Sequence, residues 1–154
     1  MKIYSENKKA YFNYNILEKL EAGLILIGQE VKSIKLGRMR LEGSYVVLKR
    51  STKDGFPEFY LIGAKIPAYQ PKNAPPDYNP EQARKLLLKK TEIKYLIGKS
   101  SQKGLTLIPL RVYSNNTKIK LEFGVAQGKK KYDKRENIKK REQEREIARE
   151  FGKV

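Results

Sequence analysis

The stretch from residue 105 to residue 126 carries the pattern that most restricts the fold, two strand-like segments separated by an asparagine pair. Segments 105–113 and 118–126 flank Asn115 and Asn116, and asparagine tolerates the positive φ that tight hairpins require. In the second segment every other residue is apolar: Ile119, Leu121, Phe123 and Val125. That period of two is typical of a strand with one buried face and one face in water. The pattern predicts an antiparallel hairpin.

Shorter patterns predict further strands and helices. Strands are predicted at 11–14, 24–27, 45–49 and 58–62, with a hairpin turn at Lys53-Asp54-Gly55. Helices are predicted at 15–23, 29–36 and 79–90, and from Thr91 to just before Gly104. Capping signals, Asn15 with Glu18 and Asn79 with Gln82, begin two of them. The proline-rich stretch 67–80 is predicted to be a loop.

Five or six short strands interrupted by helices predict a mainly β fold. The pattern favours a small, closed or nearly closed antiparallel β-barrel, because closure removes exposed strand edges. An α+β sandwich is the alternative. Since the composition changes after residue 127, we predict a β-barrel domain at 1–127 and a basic C-terminal tail at 128–154.

The charge of the chain points to an anionic partner. There are 34 Lys and Arg residues against 17 Asp and Glu residues, and the net charge of +17 divides into +12 for residues 1–127 and +5 for residues 128–154. A surplus of this size destabilises a compact chain unless something negative neutralises it. Nucleic acid is favoured over an acidic protein, and also over a membrane surface, which would require a strongly amphipathic helix. The tail is expected to be disordered when free and helical when bound to a polyanion.

Missing residue types exclude much catalytic chemistry. The chain has no Cys and no His, which excludes disulfides, thiolate or imidazole metal ligands, and a Cys nucleophile or His base. The three Asp residues are far apart, and Glu18 with Glu21 is interpreted as an exposed helix end. We therefore predict no enzymatic activity, no metal and no cofactor. The apolar run at 24–27 is too short to span a membrane and the first residues do not resemble a signal peptide, so a cytoplasmic location is expected.

Aromatic residues accompany the cations. Ten Tyr and five Phe residues suit a surface that binds phosphates through Lys and Arg and stacks bases on rings. Phe59 and Phe123 are predicted to lie in the core, whereas Tyr69 and Tyr78 in the proline-rich loop are candidates for RNA contact. A basic face, which either binds phosphates or is only solvated, consists of Lys32, Lys35, Arg38 and Arg40.

Eight short motifs, in order between residues 7 and 141, together resemble the SsrA-binding protein (small protein B, SmpB) family. The motifs are Asn7-Lys8-Lys9-Ala10, Leu20-Glu21-Ala22-Gly23, Gly28-Gln29-Glu30-Val31-Lys32-Ser33, Arg84-Lys85-Leu86-Leu87-Leu88, Ile108-Pro109-Leu110 with Tyr113, Gly124-Val125-Ala126-Gln127-Gly128-Lys129-Lys130, Tyr132-Asp133-Lys134-Arg135 and Ile138-Lys139. Each motif is weak alone, but their order and spacing make the set specific.

The resemblance implies a fold and a function. The fold is an OB-like closed antiparallel β-barrel with flanking helices and a basic tail. The barrel binds the tRNA-like domain of transfer-messenger RNA (tmRNA) and delivers it to the A site of stalled ribosomes for trans-translation, with EF-Tu as a further expected partner. The tail enters the decoding centre of 16S rRNA and the empty mRNA channel.

The resemblance also implies two sets of site residues. The RNA-binding set on the barrel is Asn7, Lys8, Lys9, Glu21, Lys32, Lys35, Arg84, Lys85, Leu87 and Lys89. The ribosome-binding set in the tail is Lys129, Lys130, Lys131, Tyr132, Asp133, Lys134, Arg135, Lys139 and Lys140. Two other readings compete: a ribosomal or general RNA-binding OB-type protein, and a metal-dependent nuclease, which would need clustered carboxylates.

Overall fold

The computed structural model describes residues 1–50 and 57–129 and the single positions 142 and 145. Within this part of the chain the strands are β1 (Lys2–Glu6), β2 (Tyr14–Leu24), β3 (Tyr45–Arg50), β4 (Pro57–Ile62), β5 (Arg84–Leu87), β6 (Leu105–Asn115) and β7 (Lys118–Gly128). The helices are α1 (Lys8–Asn13), α2 (Gly28–Lys35) and α3 (Lys90–Ser100), with a 3₁₀ turn at Pro71–Asn73. The predicted turn at 53–55 and the predicted tail residues from Lys130 to Lys140 lie outside the described residues.

Six antiparallel strands form a ring. β6 and β7 form the predicted hairpin, with Asn116 at a φ of 59° in its turn. From β7 the pairing continues through β2, β5, β4 and β3 and returns to β6, where one pair, Val46 with Leu107, completes the circuit. β1 pairs with the other half of the same β6 edge. The fold is therefore mainly β with a few helices, which confirms the predicted fold class.

The main apolar core joins strand side chains to the inner faces of α2 and α3. Phe59 and Phe123 are buried in it, as predicted, and Ile34 of α2 and Leu96 of α3 contribute their side chains. The helices predicted at 29–36 and from Thr91 are confirmed as α2 and α3. The glycine expected to end α2, Gly37, has a φ of 75°, the left-handed conformation common after a helix.

The helix predicted at 15–23 is wrong, because this segment is most of strand β2. Its side chains alternate: Leu20 is half-buried and Ala22 buried, whereas Lys19 and Glu21 are exposed. Helix-forming residues contribute only a few tenths of a kcal/mol each, and pairing with β7 along the whole strand outweighs them. The neighbouring prediction of a strand at 11–14 is also wrong, since 11–13 belong to α1.

The helix predicted at 79–90 is wrong as well. Asn79 Oδ1 accepts a hydrogen bond from the Glu81 N–H at 3.0 Å, but the side chain of Gln82, expected to complete the capping box, donates to Glu30 at 3.3 Å, and only a turn forms. The chain then enters β5, where Leu86 pairs with Leu24 of β2. The buried strand predicted at 24–27 is correct only at Leu24, since Ile25 and Ile27 are exposed. None of the described helices has the length and apolar character needed to cross a bilayer.

Candidate nucleic-acid interface

Three separate parts of the chain meet in one open groove, which we call the Leu87 groove. Strand pairing places Gly23 of β2 between Leu87 of β5 and Lys120 of β7. Lys89 lies two residues after Leu87 and is the N-cap of α3. The full lining of the groove is Glu21, Ala22, Gly23, Leu87, Leu88, Lys89, Glu92 and Lys120. Three residues predicted for RNA binding, Glu21, Leu87 and Lys89, are thus brought together.

Leu87 is an apolar side chain directed at solvent. It is 54% exposed, whereas its neighbour Leu86 is 3% exposed in the core. Opposite faces for adjacent residues follow from the strand geometry of β5. A Cβ at Gly23 would lie 3.3 Å from the Leu87 Cβ, so the glycine lets β5 and β2 approach with Leu87 lying over the backbone.

The groove continues past Leu87 towards α2. A second hollow shares Gly23, Leu87 and Lys120 with the first. Its remaining lining is Leu24, Leu26, Val31, Thr117, Lys118 and Ile119. Lys35 follows Val31 by one helical turn and is exposed, so it extends this side of the surface with a further positive charge.

Glu21 is held from β6 across the intervening strand. The Tyr113 hydroxyl donates a hydrogen bond to the Glu21 carboxylate. Burial, followed by this hydrogen bond, raises the pKa of the Tyr113 phenol far above its ordinary value, so the donor keeps its proton. Glu21 is also directly opposite Glu122, whose charge is offset by Arg111 at 3.1 Å. The Glu21 carboxylate is therefore exposed to solvent and fixed in position by Tyr113.

Arg84 does not reach the surface. It is 2% exposed, and its guanidinium donates to Glu30 of α2 and to the carbonyl oxygens of Ala64 and Pro80. Direct RNA contact by this residue, implied by the resemblance, is incompatible with the structure. The residue instead ties β5 to α2 and to the end of the proline-rich loop.

Asn7 is likewise interior. Its side-chain amide donates to the Pro109 carbonyl at 3.0 Å and its backbone N–H to Leu110 at 2.7 Å, which joins the start of α1 to β6. Lys8 is exposed next to it, whereas the ammonium of Lys9 pairs with Glu42 at 2.6 Å. Asn7 is therefore a structural residue and not a direct contact.

Lys85 is half-buried beside the predicted surface. Its ammonium contacts Glu58 of β4 at 2.8 Å, and this hydrogen bond holds the pKa of the Glu58 carboxyl below its ordinary value. The Tyr60 hydroxyl donates to the same carboxylate at 2.6 Å. Much of the Lys85 charge is thus neutralised within the protein.

The four cations predicted to form a basic face, Lys32, Lys35, Arg38 and Arg40, are all exposed, and two of them contact a tyrosine of the proline-rich loop. The Lys32 ammonium lies 5.4 Å from the centroid of the Tyr69 ring, and Arg38 donates to the Tyr69 carbonyl at 3.1 Å. Tyr78, the other candidate, is instead an internal link, because its hydroxyl donates to the Ile66 carbonyl at 2.6 Å.

The root of the tail lies at the far end of the ring from the Leu87 groove. The Lys129 N–H donates to the Asn13 carbonyl at 2.9 Å, and its ammonium to the Tyr11 carbonyl at 3.1 Å. Strand β7 runs from Lys120 in the groove to this point, about 30 Å at about 3.3 Å per residue. The other tail residues predicted for the ribosome lie outside the described part of the chain.

Two partners of the site were not found from the sequence: Tyr113 as the donor to Glu21, and Lys120 as a groove residue. Lys120 could have been found from the sequence, because the alternation of apolar and polar residues along β7 places it on the solvent side of the strand. No pattern in the sequence pointed to Tyr113, because its hydrogen bond with Glu21 joins positions 92 residues apart. Among the described residues, no cluster of three or more acidic side chains is arranged to hold a metal ion.

Comparison with known proteins gives consistent matches over the chain. A family model described as SmpB protein matches residues 4–153. The SsrA-binding protein of Syntrophobacter fumaroxidans is 46% identical over 148 residues, covering 96% of this chain and 88% of that protein. The SsrA-binding protein of Magnetococcus marinus is 47% identical over 148 residues, covering 96% and 94%. A chain from the solved structure "tmRNA-SmpB: a journey to the center of the bacterial ribosome" aligns with a TM-score of 0.63 and 42% identity, covering 82% of this chain and 84% of that one.

Proposed function

Because the chain belongs to the SmpB protein family, we propose that it binds tmRNA and acts with it on the ribosome in trans-translation, the rescue of stalled ribosomes. The observation that carries this proposal is the Leu87 groove, in which β2, β5, β7 and the start of α3 bring separate sequence motifs to one surface. The matched solved structure, which concerns tmRNA and SmpB on the ribosome, supports the same partners.

The groove has the chemistry to recognise a folded RNA. The exposed Leu87 side chain offers an apolar surface for an unstacked base or a ribose, and Lys89 and Lys120 offer charges for phosphates. The oxygens of Glu21 accept hydrogen bonds, which favours contact with base N–H groups over contact with the backbone. This combination suits a tRNA-like fold, whose loops expose unpaired bases near converging phosphates.

The finer architecture follows from the ring of strands. We regard the ring as an OB-like barrel, with residues 1–127 as the RNA-binding domain and residues 128–154 as a separate functional unit. The position of Lys129, at the opposite end of β7 from the groove, supports this division. RNA bound in the groove would leave the tail free to contact the ribosome.

The tail is proposed to act on the ribosome. The cations from Lys129 to Lys140 suit the decoding centre and an empty mRNA channel, both lined by phosphates, and the ring of Tyr132 suits stacking on a base. Asp133, Lys134 and Arg135 match the family motif for accommodation, and EF-Tu is expected in the delivery complex. Fixing each tail residue costs about 1–2 kcal/mol of conformational entropy, which electrostatic attraction must offset.

The chain is proposed to act by binding alone, in the cytoplasm where ribosomes are located. A nuclease would require grouped carboxylates, and RNA incubated with the protein and Mg²⁺ is expected to remain intact.

Competition binding tests the proposal. A labelled tRNA-like domain is bound to the full chain and displaced with the same RNA or with an unrelated structured RNA of equal length. Self-competition is expected to be at least tenfold more effective. Lys89→Glu should weaken binding more than Lys103→Glu, which makes the same charge change at a turn outside the groove. Equal displacement by both RNAs would instead favour a general RNA-binding protein.

A further inference from the structure

Neutral donors hold both carboxylates that line the Leu87 groove. Glu21 accepts a hydrogen bond from the Tyr113 hydroxyl. Glu92 accepts one from the backbone N–H of Lys89 at 3.0 Å, at the start of α3. Because neither donor carries a charge, each carboxylate is fixed in position without an ion pair to a lysine of the groove.

The two lysines that line the same groove have no acidic partner. Among the described residues, no carboxylate lies within 4 Å of the ammonium of Lys89 or Lys120. By contrast, Lys85, on the strand that carries Leu87, is paired with Glu58 at 2.8 Å. The groove therefore keeps two cations available for phosphates.

The strand register gives the Glu21 carboxylate an alternative partner nearby. Glu21 of β2 is directly opposite Glu122 of β7, so Lys120, two residues along β7 on the same face, is its diagonal neighbour. Diagonal neighbours across two antiparallel strands are within reach of long side chains. A Glu21 carboxylate that was free to rotate would be repelled by Glu122 and attracted to Lys120. The resulting ion pair would remove one cation from the groove.

Tyr113 is a donor of fixed direction. Its side chain is buried, and the Arg111 guanidinium lies 5.1 Å from the centroid of its ring. Arg111 also contacts Glu122 at 3.1 Å, which offsets the charge opposite Glu21. Because the ring is held before RNA arrives, little conformational entropy is lost in aligning the carboxylate with a ligand.

We propose that Tyr113 is a positioning residue for RNA recognition: its hydroxyl fixes the Glu21 carboxylate as an acceptor for a base N–H and keeps it from pairing with Lys120, whose charge remains for a phosphate. Since Tyr113 is buried, it acts through Glu21 and not by touching RNA. The inference rests on the proposed function. A hydroxyl that served only the fold would affect stability without changing the charge available in the groove.

Tyr113→Phe, which removes only the hydroxyl, tests the proposal in the full-length chain. The change is made in the parent chain and in a Glu21→Ala chain, so that a double-mutant cycle measures the coupling of the two side chains. Tyr95→Phe is the matched control, because it removes a hydroxyl that donates to Glu18 at 2.5 Å outside the groove lining. Fluorescence anisotropy gives the affinity for the tRNA-like domain at several salt concentrations, and urea unfolding gives the stability of each chain.

We expect Tyr113→Phe to weaken binding about fivefold in the parent chain but less than about twofold in the Glu21→Ala chain, where no carboxylate is left to release. In the parent chain it should also reduce the slope of log affinity against log salt by about one phosphate, because the released Glu21 pairs with Lys120. Tyr95→Phe should change neither the affinity nor the slope.

Four results would each overturn the inference while the proposed function stands. These are equal losses of affinity in the two backgrounds, an unchanged affinity or salt slope, an effect no larger than that of Tyr95→Phe, and a Tyr113→Phe chain that no longer folds. If the parent chain itself shows no preference for the tRNA-like domain over an unrelated structured RNA, the inference and the proposed function are both overturned.

Discussion

At the scale of single residues, we expect Leu86 to contribute to folding stability and its neighbour Leu87 to RNA binding. Leu87 is half exposed in the groove and Leu86 is buried in the core. Leu87→Ala should weaken RNA binding about tenfold with little change in stability. Leu86→Ala should leave a cavity and cost about 2–5 kcal/mol. Fluorescence anisotropy with the tRNA-like domain and urea unfolding measure the two effects. Equal loss of stability in both variants would refute the assignment of Leu87 to the surface.

The buried ion pair of Arg84 and Glu30 gives a second prediction at this scale. Both side chains are 1% exposed, with an N to O distance of 2.5 Å. Arg84→Met leaves the Glu30 carboxylate buried without its partner and should reduce the free energy of unfolding by about 3–5 kcal/mol. Lys65→Met, which breaks the exposed pair with Glu81 at 3.6 Å, is the control and should change it little. An Arg84 variant as stable as this control would contradict the buried network.

At the scale of elements, the close pairing of β2 with β7 depends on a glycine. A Cβ at Gly124 would lie 2.9 Å from the Ile16 Cγ2 and 3.1 Å from the Glu18 carbonyl oxygen. Gly124→Ala should therefore destabilise the fold by about 1–3 kcal/mol through overpacking. Gly98 in α3 has open space around it, and Gly98→Ala should stabilise slightly, because alanine favours a helix. Thermal unfolding of the two variants should shift in opposite directions.

The elements also show what the sequence allowed us to predict. The β6–β7 hairpin, β3, β4, α2 and α3 were predicted because period and turn residues agree with the fold. Segments 15–23 and 79–90 carry helix-forming residues and capping signals yet form β2 or enter β5, because pairing with distant strands decides their state. Local patterns contain no information on such partners.

The predictions for the candidate site were also correct for some residues and wrong for others. The family resemblance implied RNA binding by Glu21, Leu87 and Lys89, and the groove brings them together. They did not reveal that Asn7 and Arg84 are buried, because a basic or polar motif residue looks the same whether it contacts RNA or supports the residues that do. Burial is a property of the folded chain.

At the scale of the whole molecule, the net charge of +17 predicts strongly salt-dependent binding. Each phosphate neutralised releases condensed counterions, so the logarithm of the affinity should fall linearly with the logarithm of salt concentration, with a slope of about 0.7–0.9 per phosphate. Titrations of the tRNA-like domain at several salt concentrations measure it. Lys120→Met, which removes one groove cation, should reduce the slope by about one phosphate. A flat response between low and physiological salt would show that the groove does not bind the backbone.

The spatial separation of the groove and the tail root is the central claim, and a truncated chain tests it most directly. A chain that ends at Lys129 keeps the contacts of that residue with Asn13 and Tyr11. The companion variant is the full chain with Asp133, Lys134 and Arg135 all changed to Ala.

Affinity for the tRNA-like domain and tagging of nascent chains on stalled ribosomes are measured for both variants. We predict affinity within about threefold of the parent chain, as expected when few phosphate contacts are lost, and no tagging. Loss of RNA affinity in parallel with tagging, in a chain that is still folded, would contradict the separation of the two functions.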